Sequence, residues 1–398
     1  MSSKTKTTAT KEEARRARVP KLRFPEFRGA EGWKQTPLGD CLDYQQPTPY
    51  LVADTKYSPA FKTPVLTAGK TFILGYTDEQ HGIFSEGLPV VIFDDFTTAA
   101  QFVDFPFKAK SSAMKILQAK NGADIKFMYE TLQTISYEVG AHERHWISNF
   151  APMVVPVPTP AEQQKIAECL SSVDELMAAQ ARKVDALKTH KKGLMQQLFP
   201  TEGETQPRLR FPEFQNAPAW EVKHLGRVAE NLDNRRVPIT SGDRQAGDVP
   251  YYGASGIVDY VEGFIFDEDL LCVSEDGANL VARTYPIAFP IAGKTWVNNH
   301  AHVLRFENAC TQKFVEVYLN SIKLDDFITG MAQPKLNKAM LDRIPIPHPR
   351  VPEQERIASC LSSLDTLITA ETQKLEALKT HKKGLMQQLF PAPEEVEV

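Results

Sequence analysis

The chain has 398 residues, 42 % apolar and 24 % charged, the length of two or three ordinary globular domains. It holds no run of 18 or more apolar residues to predict a membrane span, and its charged start lacks the apolar core of a secretory signal. A net charge of −4 argues against one large autonomous DNA-binding surface and leaves room for small basic patches. The five cysteines (Cys41, Cys169, Cys272, Cys310 and Cys360) are odd in number and contain no CxxC pair, so reduced thiols are expected rather than a zinc ribbon.

In chain order, residues 1–20 read as a basic tail, expected to be disordered, with Lys4, Lys6, Lys11, Arg15, Arg16 and Arg18. LRFPEF from Leu22, Trp33 and Leu38-Gly39 open a first module spanning 21–159. Within it, 88–96 reads as a strand and 124–136 as a helix, with Phe127, Leu132 and Ile135 on one face. The proline-punctuated VVPVPTP at 154–160 is extended chain. The polar, aromatic-flanked loops are candidate DNA readers. Lys70, Thr71 and Tyr76 lie in one, Thr97 and Thr98 in a second, and Lys108, Lys110 and Ser111 in a third. Cations suit phosphates, and hydroxyl and amide groups suit base edges. Such residues are also ordinary loop residues.

Residues 160–200 form a helical spacer. Its apolar positions step by four and three: Ile166, Leu170, Val173, Met177, Val184, Leu187, Leu194 and Leu198. Ser171-Ser172 before Asp174 resembles an N-cap, so a short helix is expected to lead into a longer one over about 172–199, roughly 42 Å long. Gln180 and Lys191 interrupt the seam.

The plan then repeats. LRFPEF returns at Leu209, with Trp220 and Leu225-Gly226, all at a spacing of 187 residues. A second module spans 201–350, with strand-like runs in 263–277, a helix over 312–322 and extended chain at 344–349. Its candidate readers are Arg235 and Arg236, then Tyr251, Tyr252 and Ser255. Lys294, Asn298, Asn299 and His300 follow, and then Lys335. A second spacer, 351–391, carries Leu364, Ile368, Leu375, Leu378, Leu385 and Leu389, with Glu371 and Lys382 interrupting its seam. Its last fifteen residues, ALKTHKKGLMQQLFP, match 186–200 letter for letter at a spacing of 191. An acidic tail, 392–398, follows.

Repeated blocks around unlike inserts are the pattern of two modules of one fold that read different things. Two matching helices in one chain have an obvious partner in each other. An antiparallel pair would hold the modules apart by about one turn of DNA, although a coiled coil that only mediates oligomerisation has the same pattern. The expected fold is α+β, with two globular recognition domains separated by long antiparallel coiled-coil helices and an internal pseudo-two-fold repeat.

Chemical motifs argue against an active site. Two Gly-Lys-Thr triplets, 69–71 and 293–295, lack the earlier glycine of a phosphate loop, having Pro64 and Ala288 instead. His142 with His145, and His300 with His302, have no further ligand at metal spacing. Asp94-Asp95 and Glu275-Asp276 look like strand-end caps or partners that orient a basic side chain, since no PD…ExK pattern accompanies them.

These blocks resemble the specificity subunits of type I restriction–modification systems (the HsdS family), over about residues 20–391. The most specific elements are the duplicated blocks and the tracts EQQKIA and EQERIA before each helix. The resemblance implies a non-catalytic, cytoplasmic prokaryotic protein with two target-recognition domains, each reading three to five base pairs of a bipartite, asymmetric double-stranded DNA site. It implies that the helices set the gap and dock two methyltransferase (modification) subunits, joined by two restriction/translocase subunits. It places S-adenosylmethionine, ATP and magnesium on those partners and none on this chain. A DNA-free coiled-coil adaptor and an orphan decoy are the rival readings.

Overall fold

The structure, a computed structural model, describes residues 19–391 apart from Lys70, residues 140–142, Glu202 and residues 331–332. The expected acidic tail and residues 1–18 of the expected basic tail therefore lie outside the described residues, while Pro20 is buried. The chain divides into two compact units. The first contains residues up to Ala181 together with Lys374 onward, and the second contains Arg182–Gln373. Each holds one recognition module and a stretch of both long helices, Pro160–Leu198 and Val351–Leu389.

In the first unit, β1 (Lys34–Pro37) pairs antiparallel with β9 (Val154–Val157) at the base of the module. Strands β2 (Leu42–Gln45), β5 (Val90–Asp94), β6 (Ala100–Val103) and β8 (Met114–Ala119) form an antiparallel sheet in the order β2-β8-β5-β6. Val91 and Phe93 on one face of β5, and Val90 and Ile92 on the other, join different apolar clusters. This explains why that strand reads as a continuous apolar run. A second sheet has the order β4-β3-β7, from β3 (Thr63–Leu66), β4 (Ile73–Thr77) and β7 (Lys108–Ala109), and its β3–β7 pairing is parallel. The module helix, Ile125–Thr134, is N-capped by Asp124, whose Oδ1 accepts from Phe127 N at 2.8 Å.

The second unit repeats the plan. Strand β10 (Glu221–His224) pairs with β19 (Pro345–His348). Strands β11 (Ala229–Asn231), β15 (Leu270–Ser274), β16 (Ala288–Ile291) and β18 (Ala301–Phe306) take the order β11-β18-β15-β16. Strands β12 (Ala246–Gly253), β13 (Gly256–Val261), β14 (Phe266–Asp267) and β17 (Lys294–Val297) take the order β13-β12-β17-β14. The β12–β17 pairing is parallel, like β3–β7. Asn308 caps the module helix, Ala309–Ser321.

The repeated sequence blocks meet inside each unit. Arg23 of the first LRFPEF forms a two-pronged pair with Glu162, Nε to Oε1 and Nη2 to Oε2, both at 2.7 Å, and Trp33 Nε1 donates to the same carboxylate at 3.3 Å. Arg210 and Glu353 form the same pair in the second unit, again at 2.7 Å twice. Burial lowers the guanidinium pKa values, but the carboxylate hydrogen bond is the larger influence and raises both. The next residue of each tract works as a splice. Gln163 accepts from Asp124 N and donates to Pro158 O, while Gln354 accepts from Thr311 Oγ1 and donates to Pro349 O. The identical Leu-Phe-Pro endings are apolar plugs. Phe390 stacks on Phe127, 5.3 Å between centroids, beside Trp33, and Phe199 packs against Phe314 beside Trp220.

The long helices differ from the sequence expectation in one respect. Each runs unbroken for 39 residues, about 58 Å at 1.5 Å per residue, with no start near 172. Ser172 Oγ donates back to Glu168 O at 2.9 Å, a bond that a serine makes inside a helix. Asp174 serves as an ion-pair partner, not as a cap residue. Lys382 reaches both Asp174 (2.8 Å) and Glu130 (2.9 Å) in the first unit, and Lys126 pairs with the same two carboxylates at 2.7 Å. In the second unit Lys191 meets Asp365 at 2.5 Å and Lys183 meets Glu371 at 2.9 Å, so the helix stretches there run antiparallel. Lys191, Glu371 and Lys382, which interrupt the apolar seams, are thus polar crosslinks between helices. Of the seam residues, Val173, Val184, Leu198 and Leu389 are buried, while Met177, Leu187, Leu194, Leu364, Ile368, Leu375, Leu378 and Leu385 are half-buried.

Candidate nucleic-acid interface

Both modules place an acidic pair where the central sheet strand ends. In the first, Asp94 Oδ1 accepts from Phe96 N and Thr97 N, which shapes the turn carrying Thr97 and Thr98. Thr98 sits at φ 58°, in the left-handed region that a threonine rarely enters. Asp95 is buried, accepts from Trp146 N at 2.8 Å and pairs with buried Lys115 at 3.3 Å. In the second module, Glu275 and Asp276 occupy the same strand end. Asp276 holds exposed His300 at 2.7 Å, and Glu275 holds Arg236 at 2.7 Å and Lys335 at 3.2 Å.

Beside Glu275, buried His302 is hydrogen-bonded at both ring nitrogens, Nδ1 with Asp233 Oδ2 at 2.6 Å and Nε2 with the carbonyl oxygen of Leu336 at 2.7 Å. Burial pushes the Asp233 carboxyl up, but the hydrogen bond and charge of His302, with Val303 N–H, outweigh it and leave it below the usual range. Glu275 behaves alike: burial raises it, while Arg236, His302 and Lys335 bring it below its ordinary value. Asp233, Glu275 and His302 lie close enough to bind a cation together. Arg236 and Lys335 already neutralise those carboxylates, however, so a cation would have to displace both. The set is an internal ion network that fixes the loop carrying Lys335.

The structure sorts the candidate readers. Thr71, Thr97 and Ser111 are exposed in the first module, and Tyr76, Thr98 and Lys110 are half-buried. Ser111 Oγ accepts from Ala113 N, and Lys110 Nζ lies 5.9 Å from the Tyr57 ring centroid. Lys70 falls outside the described residues, as does His142. Ser255, Lys294, Asn299, His300 and Lys335 are exposed in the second module. Arg235 is half-exposed, braced by Glu268 at 3.2 Å and lying over Phe266.

Four candidates lie too deep to touch a duplex in this conformation. Lys108 is 3 % exposed, pairs with Glu79 at 2.7 Å and donates to His81 O, because parallel pairing with β3 draws its strand into the core. Tyr251 is 1 % exposed, and its hydroxyl closes a loop at Ile239. Arg236 is enclosed by Asp233, Glu275 and the Ala301 carbonyl. Asn298 is buried and turns the chain by accepting from His300 N. Tyr252 is half-buried against Phe289, and burial raises its hydroxyl pKa.

The missed framework residues are Glu162, Gln163, Glu353 and Gln354. Their signal was present as the repeated Glu-Gln, which the structure places in the first turn of each long helix.

Comparison with known proteins places the chain. Residues 217–380 match the family model described as the type I restriction modification DNA specificity domain. The EcoR124I/EcoR124II specificity subunit of Escherichia coli is 32 % identical over 376 residues, covering 85 % of this chain and 88 % of that protein. A putative type I restriction enzyme specificity subunit of Haemophilus influenzae is 38 % identical over 151 residues, 38 % of each chain. The crystal structure of a type I restriction–modification S subunit from M. genitalium shares the fold, with TM-score 0.66 and 17 % identity, covering 94 % of this chain and all of that one. The chain belongs to the specificity subunits of type I restriction enzymes. Its relatives are the non-catalytic, DNA-recognising members of their systems. No helix among the described residues is long and apolar enough to cross a membrane.

Proposed function

We propose that each module reads one half of a bipartite, asymmetric DNA site, and that the long helices fix the unread gap and dock the two modification subunits. The carrying observation is the pairing of one framework with two unlike reading surfaces. The Arg–Glu clasps and the order of the central four-stranded sheet are the same in both units, and in each a Gln accepts one bond from the module and donates another to a carbonyl just before the long helix. At the equivalent strand ends, by contrast, one module builds on Lys115–Asp95 and the other on His302, Asp233 and Glu275. A shared frame with different loops is what reading two different sequences requires.

The exposed Thr71, Thr97 and Ser111, and the exposed Ser255, Lys294, Asn299 and Lys335, are the side chains this reading assigns to DNA, through phosphate and base-edge contacts. The net charge of −4 fits a grip shared with partners. S-adenosylmethionine, ATP and magnesium belong to the modification and restriction subunits in this account. The test is a loop exchange. Replacing residues 67–76 by the corresponding loop of another specificity subunit should change the bases of one half-site in the methylated motif. A change in both half-sites, or in neither, would count against modular reading.

A further inference from the structure

The β12–β13 hairpin of the second module exposes an apolar edge. Strand β13 is the outer strand of its sheet, and Ile257, Val258 and Tyr260 on it are 48 %, 55 % and 52 % exposed, with Phe264 just beyond at 46 %. Single exposed apolar side chains are ordinary, but three together on an outer strand, with a fourth just past its end, invite association. The first module shares this in part: Ile73 and Leu74 are exposed on β4, the outer strand of its sheet, while Tyr76 is half-buried where Tyr260 is exposed.

The charge around the edge argues against DNA. Asp248, on the neighbouring strand β12, and Glu262, directly after β13, are exposed carboxylates beside it, without a cation partner among the described residues. Of the nearby cations, Arg244 is held against the module, while Lys294 stays exposed. Arg244 pairs with Asp259 at 3.0 Å and lies over Tyr251, and Lys294 Nζ sits 4.9 Å from the Phe264 ring centroid. A phosphate backbone would be repelled by such a rim, whereas a protein surface with an apolar centre and basic margin would be complementary to it.

We infer that the β12–β13 edge is a protein-docking surface for a partner that presents an apolar patch bordered by Lys or Arg. The inference rests on reading the chain as one subunit of a larger complex, so the partner tested is the cognate modification subunit.

The experiment measures association of that subunit with the full chain by isothermal titration, and the methylated motif in the same preparations. Ile257→Glu, and separately the double variant Asp248→Lys/Glu262→Lys, should each weaken association by at least about tenfold, in the range that interface hot spots reach. At saturating modification subunit the motif should be unchanged. The charge-reversal variant leaves the apolar side chains in place, so the test stands even if Ile257→Glu misfolds. Association within about twofold of wild type for the charge-reversal variant overturns the inference, and a changed half-site would assign the edge to DNA. If wild type itself forms no complex, the reading under Proposed function falls and takes this inference with it. An intact wild-type complex indifferent to the variants overturns this inference alone.

Discussion

Removing Glu162 should loosen the first unit and leave the second intact. Its carboxylate is 1 % exposed and takes three donors, Arg23 Nε and Nη2 at 2.7 Å and Trp33 Nε1 at 3.3 Å. Glu162→Ala strands the Arg23 guanidinium, and breaking one side of a buried pair costs about 3–5 kcal/mol. Arg23 keeps its bonds to the Ala30 and Glu31 carbonyls, which places the loss near the lower end. The apolar double variant Arg23→Met/Glu162→Leu should cost far less than the sum of the single variants, because no uncompensated charge remains. Hydrogen exchange under mild denaturant would read this by segment. Faster exchange is expected in residues 34–37 and 154–170, with 221–224 and 345–361 unchanged, and Glu353→Ala should give the reverse pattern. A loss below about 1 kcal/mol, or a double variant as costly as the sum, would place the clasp among weak surface pairs and refute the reasoning.

Other expectations follow from the same geometry. Burial raises the Asp174 carboxyl, but hydrogen bonds from Lys126 and Lys382 overcome that and leave it below its ordinary value of 3.8. Its contribution is therefore complete above about pH 4 and lost as pH falls through the lowered value, so Asp174→Asn should flatten the acid side of the stability profile with little slope change near neutrality. Burial lowers the Lys382 pKa, yet its bonds to Asp174 and Glu130 raise it net above 10.5, so its part is lost only in strong alkali. An unchanged acid limb in Asp174→Asn would contradict the crosslink. Phe390→Ala should cost about 3–5 kcal/mol in the first unit by denaturant titration, since it empties the plug beside Trp33 and Phe127; a loss under 1 kcal/mol would deny it that role. Excising one heptad from each long helix should change the gap in the methylated motif while keeping both half-sites, and altered half-site bases would defeat the proposed spacer.

Local pattern made much of this protein legible in its sequence. The strands Val90–Asp94 and Val154–Val157 fall inside runs read as strand and as proline-fixed extended chain, and the helix Ile125–Thr134 inside the run read from helical spacing. The repeated tracts fall in the two 39-residue helices. What was not legible depends on partners far away in the chain. Lys382 and Asp174 are 208 residues apart, so a lysine in an apolar seam looked like a flaw. Lys108 and Tyr251 looked like loop readers, but the parallel pairings β3–β7 and β12–β17 bury them. Ser172 looked like a helix start because capping and back-bonding use the same short hydroxyl.

The most direct test of the central claim is methylome sequencing of cells expressing this chain with its cognate modification subunit, beside cells that lack the chain. The account predicts methylated adenine in one motif of two unlike half-sites around a fixed gap, present only with the chain. A methylome that is the same with and without the chain, while the modification subunit is active with another specificity subunit, would contradict it.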